Sequence, residues 1–251
     1  MRLTDFKVLA FDCYGTLIDW ESGIYTALQP LLTAAGMTLS RDEALERFAW
    51  HEADQEVITP GMIYSELLGV VYGRLAKEWK TEVAAADMGR FGASVPDWPA
   101  FPDSAEALHY LKQHYKLIIL SNVDRKSFKG SNKHLQVAFD AICTAQDIGT
   151  YKPSPNNFAY LIRQVEAMGF SKSDILMTAQ SLFHDHVPAN RAGIASAWID
   201  RRHDVEGWGA TMKPETLPRI DFHVHTMAEF VALHRKDSAA TAVKHSGPIV
   251  P

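Results

Sequence analysis

Short apolar runs, each closed by a polar cluster and separated from the next by a stretch of helical spacing, most constrain what this chain can fold into. Phe6-Lys7-Val8-Leu9-Ala10-Phe11 stops at Asp12-Cys13-Tyr14-Gly15-Thr16. Lys116 to Leu120 is followed by Ser121-Asn122, Ala141 to Thr144 by Ala145-Gln146-Asp147, and Ile175 to Met177 by Thr178-Ala179-Gln180. Ala195 to Ile199 runs into Asp200-Arg201-Arg202, and Phe222-His223-Val224 fits an edge strand. Runs this short with polar, Gly-containing stops read as buried strands. Between them, Ser104 to His114 carries Ala105, Leu108 and Leu111 on one face. Pro155 to Met168 carries Phe158, Leu161, Ile162 and Val165 before Gly169, and Val187 to Ala192 ends at Gly193. Strands alternating with helices predict an α/β fold, a parallel sheet covered by helices on both faces. In such sheets the carboxyl ends of the strands line the ligand crevice, where Asp12, Ser121, Asn122 and the Gln180 region fall.

One segment breaks the alternation. From Trp20 to Trp98 the pattern is helical throughout, with Ile24, Leu28, Leu31 and Leu32 on one face, then Leu45, Phe48 and Ala49, then Leu67, Leu68, Val71 and Leu75. The simplest account is a helical cap, residues 20–96, inserted after the first strand of a core formed by residues 1–19 and 97–235. Gly92-Ala93-Ser94-Val95-Pro96 suits the return hinge. Residues 236–251, rich in Ala, Ser and Thr, read as a flexible tail. Tyr64, Leu67 and Tyr72 suit either the core of the cap or a homodimer contact.

Composition removes several function classes. The net charge of −5 leaves no basic surplus to neutralise a phosphate backbone, which argues against a nucleic-acid partner. Two cysteines, Cys13 and Cys143, make neither a disulfide framework nor a zinc site and suit buried core positions. No apolar run reaches the roughly 20 residues of a membrane span, and Met1 to Phe11 does not read as a signal peptide. The expectation is a soluble cytoplasmic protein without a membrane partner.

Asp12 is the leading candidate for chemistry. A carboxylate directly after a buried strand, in a tight turn with Gly15, is placed where backbone N–H groups orient it, although capping the next helix is an equal reading of the residue alone. The whole phrase decides the matter. Asp12-Cys13-Tyr14-Gly15-Thr16-Leu17 resembles the first motif of the haloacid dehalogenase superfamily. Ser121-Asn122 resembles its second motif, Lys152 in Tyr151-Lys152-Pro153-Ser154-Pro155 its third, and Asp185 in His184-Asp185-His186 its fourth. The motifs stand in order, at separations of 109, 31 and 33 residues, the first of which leaves room for a cap.

The resemblance implies a Rossmann-like core with a cap and an aspartate nucleophile, Asp12. Phosphatases of the superfamily place a second Asp two positions after the nucleophile to protonate the leaving alkoxide, and bind Mg²⁺ through carboxylates. Here that position is Tyr14, whose ordinary pKa of about 10 makes it a weak acid at neutral pH. A halide leaves as a stable anion and needs no proton, so the sequence looks like the 2-haloacid dehalogenase branch. That branch implies a hydrolase acting on a small 2-haloacid without metal or organic cofactor. Asp12 would attack C2 to form an ester, which water cleaves to give an inverted 2-hydroxy acid. Lys152 would keep Asp12 ionised, and Asp185 would hold Lys152 and the water. Thr16 and Ser121 would bond to Asp12 or the substrate carboxylate, and Asn122 to the halide or substrate. Arg47 is the expected cap arginine for halide or carboxylate, with Arg41 as fallback. Tyr14, Trp20 and Trp50 would wall the halogen.

Three departures stand against this alignment. Leu182 occupies the slot of an Asn that holds the water, so Gln180, Ser181 or His184 would have to replace it. Phe158 replaces a Tyr six residues after the lysine, and the His184-Asp185-His186 triplet is unusual, with His184 a candidate proton-transfer group. A Mg²⁺-dependent phosphatase is the alternative reading.

Overall fold

A computed structural model describes residues 1–245, with side chains to residue 240. Six parallel strands form one sheet in the order β3-β2-β1-β4-β5-β6: β1 Val8–Phe11, β2 Lys116–Ser121, β3 Ala141–Thr144, β4 Ile175–Ala179, β5 Ala195–Ile199 and β6 Phe222–Val224. The alternation along β1 explains its unbroken apolar run. Leu9 and Phe11 enter one core cluster, with Leu117 and Ile119 of β2, while Val8 and Ala10 enter a second cluster with Ile118 and Leu120. A strand buried on both faces has no position for a polar residue until it leaves the sheet. The core helices cover these faces: α5 Ser104–Leu111, α6 Arg125–Leu135, the single turn α7 Ala145–Ile148, α8 Pro155–Ala167, α9 Val187–Arg191 and α10 Met227–His245.

Between β1 and α5 stand four helices: α1 Trp20–Ala34, α2 Arg41–Ile58, α3 Tyr64–Glu78 and α4 Ala85–Gly92. Asp19 caps α1 by accepting from Ser22 N at 3.1 Å, and Ser40 forms a capping box with Glu43 at the start of α2. Where the chain leaves and re-enters the core, Gly23 packs so tightly on Trp98 that an added Cβ would lie 2.2 Å from its ring. Asp124, the cap of α6, also accepts from Ser65 N of α3 at 3.2 Å and so ties α3 to the sheet side.

One expectation needs correction here, and one open alternative is decided. Lys236 to His245, read from sequence as flexible tail, continue α10, because alanine-rich sequence is intrinsically helical; residues 246–251 lie outside the described residues. Tyr64, Leu67 and Tyr72, for which the sequence left cap core and homodimer contact open, are all buried among the helices between β1 and α5, the first of those alternatives. No helix among the described residues is long and apolar enough to cross a membrane.

Candidate active site

β1 lies between β2 and β4, where the chain changes the side of the sheet on which it adds strands, and its carboxyl end opens on the crevice of such a sheet. Asp12 N still donates to Thr178 O at 3.2 Å, the last tie to the sheet before the chain turns. Leu17 N and Ile18 N then converge on Cys13 O, and Gly15 N donates to Ile18 O at 2.8 Å. Gly15 has φ +92°, a conformation L side chains rarely adopt. This loop leaves the Asp12 carboxylate buried and held at both oxygens: Oδ2 accepts from Thr16 Oγ1 at 2.7 Å and Oδ1 from Lys152 Nζ at 2.9 Å. Thr16 Oγ1 accepts in turn from Gln180 N at 2.9 Å, which fixes the hydroxyl proton toward Asp12.

Lys152 is 2% exposed and uses all three ammonium protons, on Asp12 Oδ1, on Asp185 Oδ1 at 2.7 Å and on Leu120 O at 3.0 Å. Burial alone would lower its pKa; the two carboxylates outweigh burial and raise it, so the ammonium stays charged. Asp185 is fully buried, and burial pushes its carboxyl upward despite Lys152. Among the described residues its Oδ2 has no hydrogen-bond partner, and neither has the buried Ser121 Oγ. Asn122 serves as a clamp: its Oδ1 accepts from Lys152 N at 2.6 Å, while its Nδ2 donates to Lys152 O and, across the cleft, to Glu56 Oε1 at 3.1 Å.

Glu56 was not anticipated from sequence, nor was Glu52 one helical turn before it. Both are buried on α2 and line the same cavity as Asp12. Glu52 Oε1 accepts from Tyr64 Oη at 2.6 Å. Burial pushes the Glu52 carboxyl up to about 8, against the opposing Tyr64 hydrogen bond. Glu56 is raised by burial and by Glu52. The signal was present in the helical spacing, since Leu45, Phe48, Glu52 and Glu56 share one face and a carboxylate on an apolar face needs a reason.

The same geometry removes Arg47 from the site. Nine positions separate it from Glu56, about two and a half turns at 3.6 residues per turn, so it points to the opposite side of α2. Its side chain is 63% exposed and pairs with Glu78 at 3.3 Å. Trp50 is likewise exposed and walls nothing. Arg41 lies against Asp19 and borders a neighbouring cleft instead. Trp20 and Tyr14 do line the Asp12 cavity, but the Tyr14 hydroxyl is engaged with Ser131 Oγ at 2.9 Å and burial raises its pKa. His184 also lines it; burial lowers its pKa to about 3, so the imidazole is neutral at pH 7 and a weak base. Ser181 Oγ bonds to His184 and Thr211. The pocket, partly open to solvent, holds about 30 Å³ of free space, room for a water or two.

An aspartate held by a buried ammonium, beside a second carboxylate with a free oxygen, suits nucleophilic attack followed by hydrolysis. The comparisons with known proteins agree at the level of family. The profile of the haloacid dehalogenase-like hydrolases matches residues 6–178. No curated protein matches by sequence. Among solved structures, an L-2-haloacid dehalogenase is similar at TM-score 0.74 and 22% identity, covering 93% of this chain and 99% of its own. A defluorinating L-2-haloacid dehalogenase matches at 0.74 and 18%, covering 92% and 95%. The L-2-haloacid dehalogenase from Xanthobacter autotrophicus with chloropropionic acid covalently bound matches at 0.74 and 18%, covering 92% and 98%. At these identities the likeness is one of fold, and the family rests on the profile and the four motifs together: the chain is a member of the haloacid dehalogenase-like hydrolases.

Proposed function

We propose that the chain hydrolyses short 2-haloalkanoic acids to 2-hydroxy acids through an ester on Asp12. One observation carries the reading: the nucleophile is ion-paired in a buried cavity while the residue two positions on, Tyr14, has its hydroxyl tied to Ser131 and its pKa raised. A leaving group that requires a proton from that position is poorly served; a halide is not. Asp12 attacks C2 opposite the halogen, a C–O bond forms, and the halide departs with the C–X electron pair, inverting C2. Water then attacks Cγ of Asp12 and gives a proton to Asp185, the Cγ–O bond to the former substrate breaks, and that proton passes to the departing alkoxide, so the hydroxy acid keeps an oxygen from Asp12. Asp185, with its free Oδ2, receives that water, and Ser121 Oγ is a donor for the substrate carboxylate.

In place of the expected arginine, the cap side of the cavity presents Glu52 and Glu56. Held protonated by burial, they offer O–H donors to the carboxylate or the departing halide rather than a repelling charge. The structural likeness to L-2-haloacid dehalogenases supports the reading. A magnesium-dependent phosphatase is the second reading, favoured by the unpartnered Asp185 Oδ2, which together with Asp12 fits a cation.

The test is halide release from (S)-2-chloropropionate with and without EDTA. Chloride release that survives EDTA, falls about 10⁴-fold or more in Asp12→Asn, and places heavy oxygen from labelled water in Asp12 during a single turnover is the expected result. Phosphate release from p-nitrophenyl phosphate that requires Mg²⁺, with no chloride release, establishes the second reading.

A further inference from the structure

At the far edge of the sheet, β5 ends at Ile199 and Asp200 follows; β6 carries His223 and is followed by His225. The register pairs Trp198 with His223 and Ile199 with Val224, which brings Asp200 alongside the end of β6. Residues two apart along a strand share a face, so His223 and His225 project together toward Asp200. Among the described residues, one ligand atom from each of these three lies within 4.8 Å of the other two. His223 Nε2 and Asp200 Oδ2 are 3.1 Å apart. Ligand bonds of about 2.0–2.2 Å in tetrahedral geometry put neighbouring ligand atoms roughly 3.3 Å apart, so one pair is already at that spacing and the third atom needs a small side-chain rotation.

The surroundings hold the rings. His223 stacks on Trp198 at 4.4 Å and 17°, and His225 on His203 at 4.0 Å and 17°. The Glu229 carboxylate accepts from His225 N at 2.8 Å and lies 3.6 Å from its Nδ1, which puts a negative charge beside the ring. A carboxylate beside a ligating imidazole raises its basicity. His203 Nδ1 bonds to Asp200 O and its Nε2 faces Asp204, so His203 supports the group rather than joining it.

We infer that Asp200, His223 and His225 bind one divalent first-row transition metal ion of the zinc class, at a site separate from the Asp12 cavity. Two imidazoles and one carboxylate suit Zn²⁺ and its neighbours, whereas Mg²⁺ and Ca²⁺ prefer all-oxygen sets. Three protein ligands leave a position open to water or to an anion. His223 is exposed, so the ion enters from solvent. Asp200 and His203 border a cleft of about 210 Å³ that reaches Gln180, which also lines the Asp12 cavity. A bound ion therefore joins the end of β5 to β6 and steadies the loop beginning at Arg201, whose guanidinium donates to Thr16 O.

Calorimetric titration of EDTA-stripped full-length protein with zinc chloride tests this. The expected result is one equivalent bound, with a rise in Tm, and no heat from Mg²⁺. His223→Ala and His225→Ala should each weaken binding by about 100-fold, and Glu229→Gln by about 10-fold. Asp200→Asn, which preserves shape, gives the same reading should a histidine variant lose its fold by circular dichroism. Zinc binding that persists at full affinity in the Asp200→Asn and His223→Ala variants, or the lack of any saturable binding, overturns the assignment.

Discussion

Two pairs of buried carboxyl groups face one another across the cavity, and they differ in a single respect. Asp12 and Asp185, on the sheet side, share one ammonium between them; Glu52 and Glu56, on α2, have hydrogen bonds from Tyr64 and Asn122, and among the described residues no cation pairs with either. Burial raises a carboxyl pKa, and a close opposite charge or hydrogen bonds to the ionised form oppose it. The lower pair therefore has a counter-ion, while burial raises the upper pair without one. On the proposed mechanism the position of one lysine then sets the group that attacks apart from the groups that donate.

Removing that lysine is the most severe way to break the comparison. Lys152→Ala leaves Asp12 and Asp185 buried without a counter-ion, and haloacid turnover at pH 7 should fall by about 10²–10³-fold. An unchanged rate at pH 7 would show that the ion pair only holds structure. A circular dichroism melt beside the kinetics separates lost folding from the loss of the counter-ion.

The upper pair gives a sharper but smaller effect. Glu52 titrates near 4.5 when unfolded and about 8 when folded, so between these limits the native state binds more protons than the unfolded chain. Stability should then be full below about pH 4.5 as far as this group is concerned, and decline as pH rises toward 8. Urea unfolding at several pH values should show that decline, and the Glu52→Gln, Glu56→Gln double variant should flatten it. In the intact protein, chloride release from (S)-2-chloropropionate should weaken mainly through KM above about pH 8, as Glu52 becomes an anion facing an anionic substrate. A slope unchanged in the double variant would mean the carboxyls are charged at neutral pH and the contrast between the pairs is wrong. Smallest of all, Arg47→Ala should alter stability by no more than about 0.5 kcal/mol and leave kcat/KM within twofold, since its partner Glu78 lies on the outer side of the helices.

What could be read from the sequence follows the same division. The strands were legible because a segment buried on both faces allows only apolar residues, and the polar stop after each run located Asp12, Ser121 and Asn122. Lys152 and Asp185 were legible through motif order; their hydrogen bonds to one another are long-range and leave no local pattern. Arg47 misled because a positive charge on a helix says nothing about which side faces the core, whereas Glu52 and Glu56 were passed over although their spacing from Phe48 marked them as inward. The end of α10 was missed because small polar residues among alanines were weighed as loop formers, and alanine prevailed.

The volume left above Asp12 has a kinetic consequence. A partly open pocket with space for a water or two takes in a haloacid only after its walls give way, and on the proposed mechanism the same tightness suits an ester awaiting hydrolysis, since it limits which solvent molecules can reach it. Chemistry and traffic then ask opposite things of one opening. In such an arrangement the escape of halide and hydroxy acid, rather than the breaking of any bond, can set the pace of turnover.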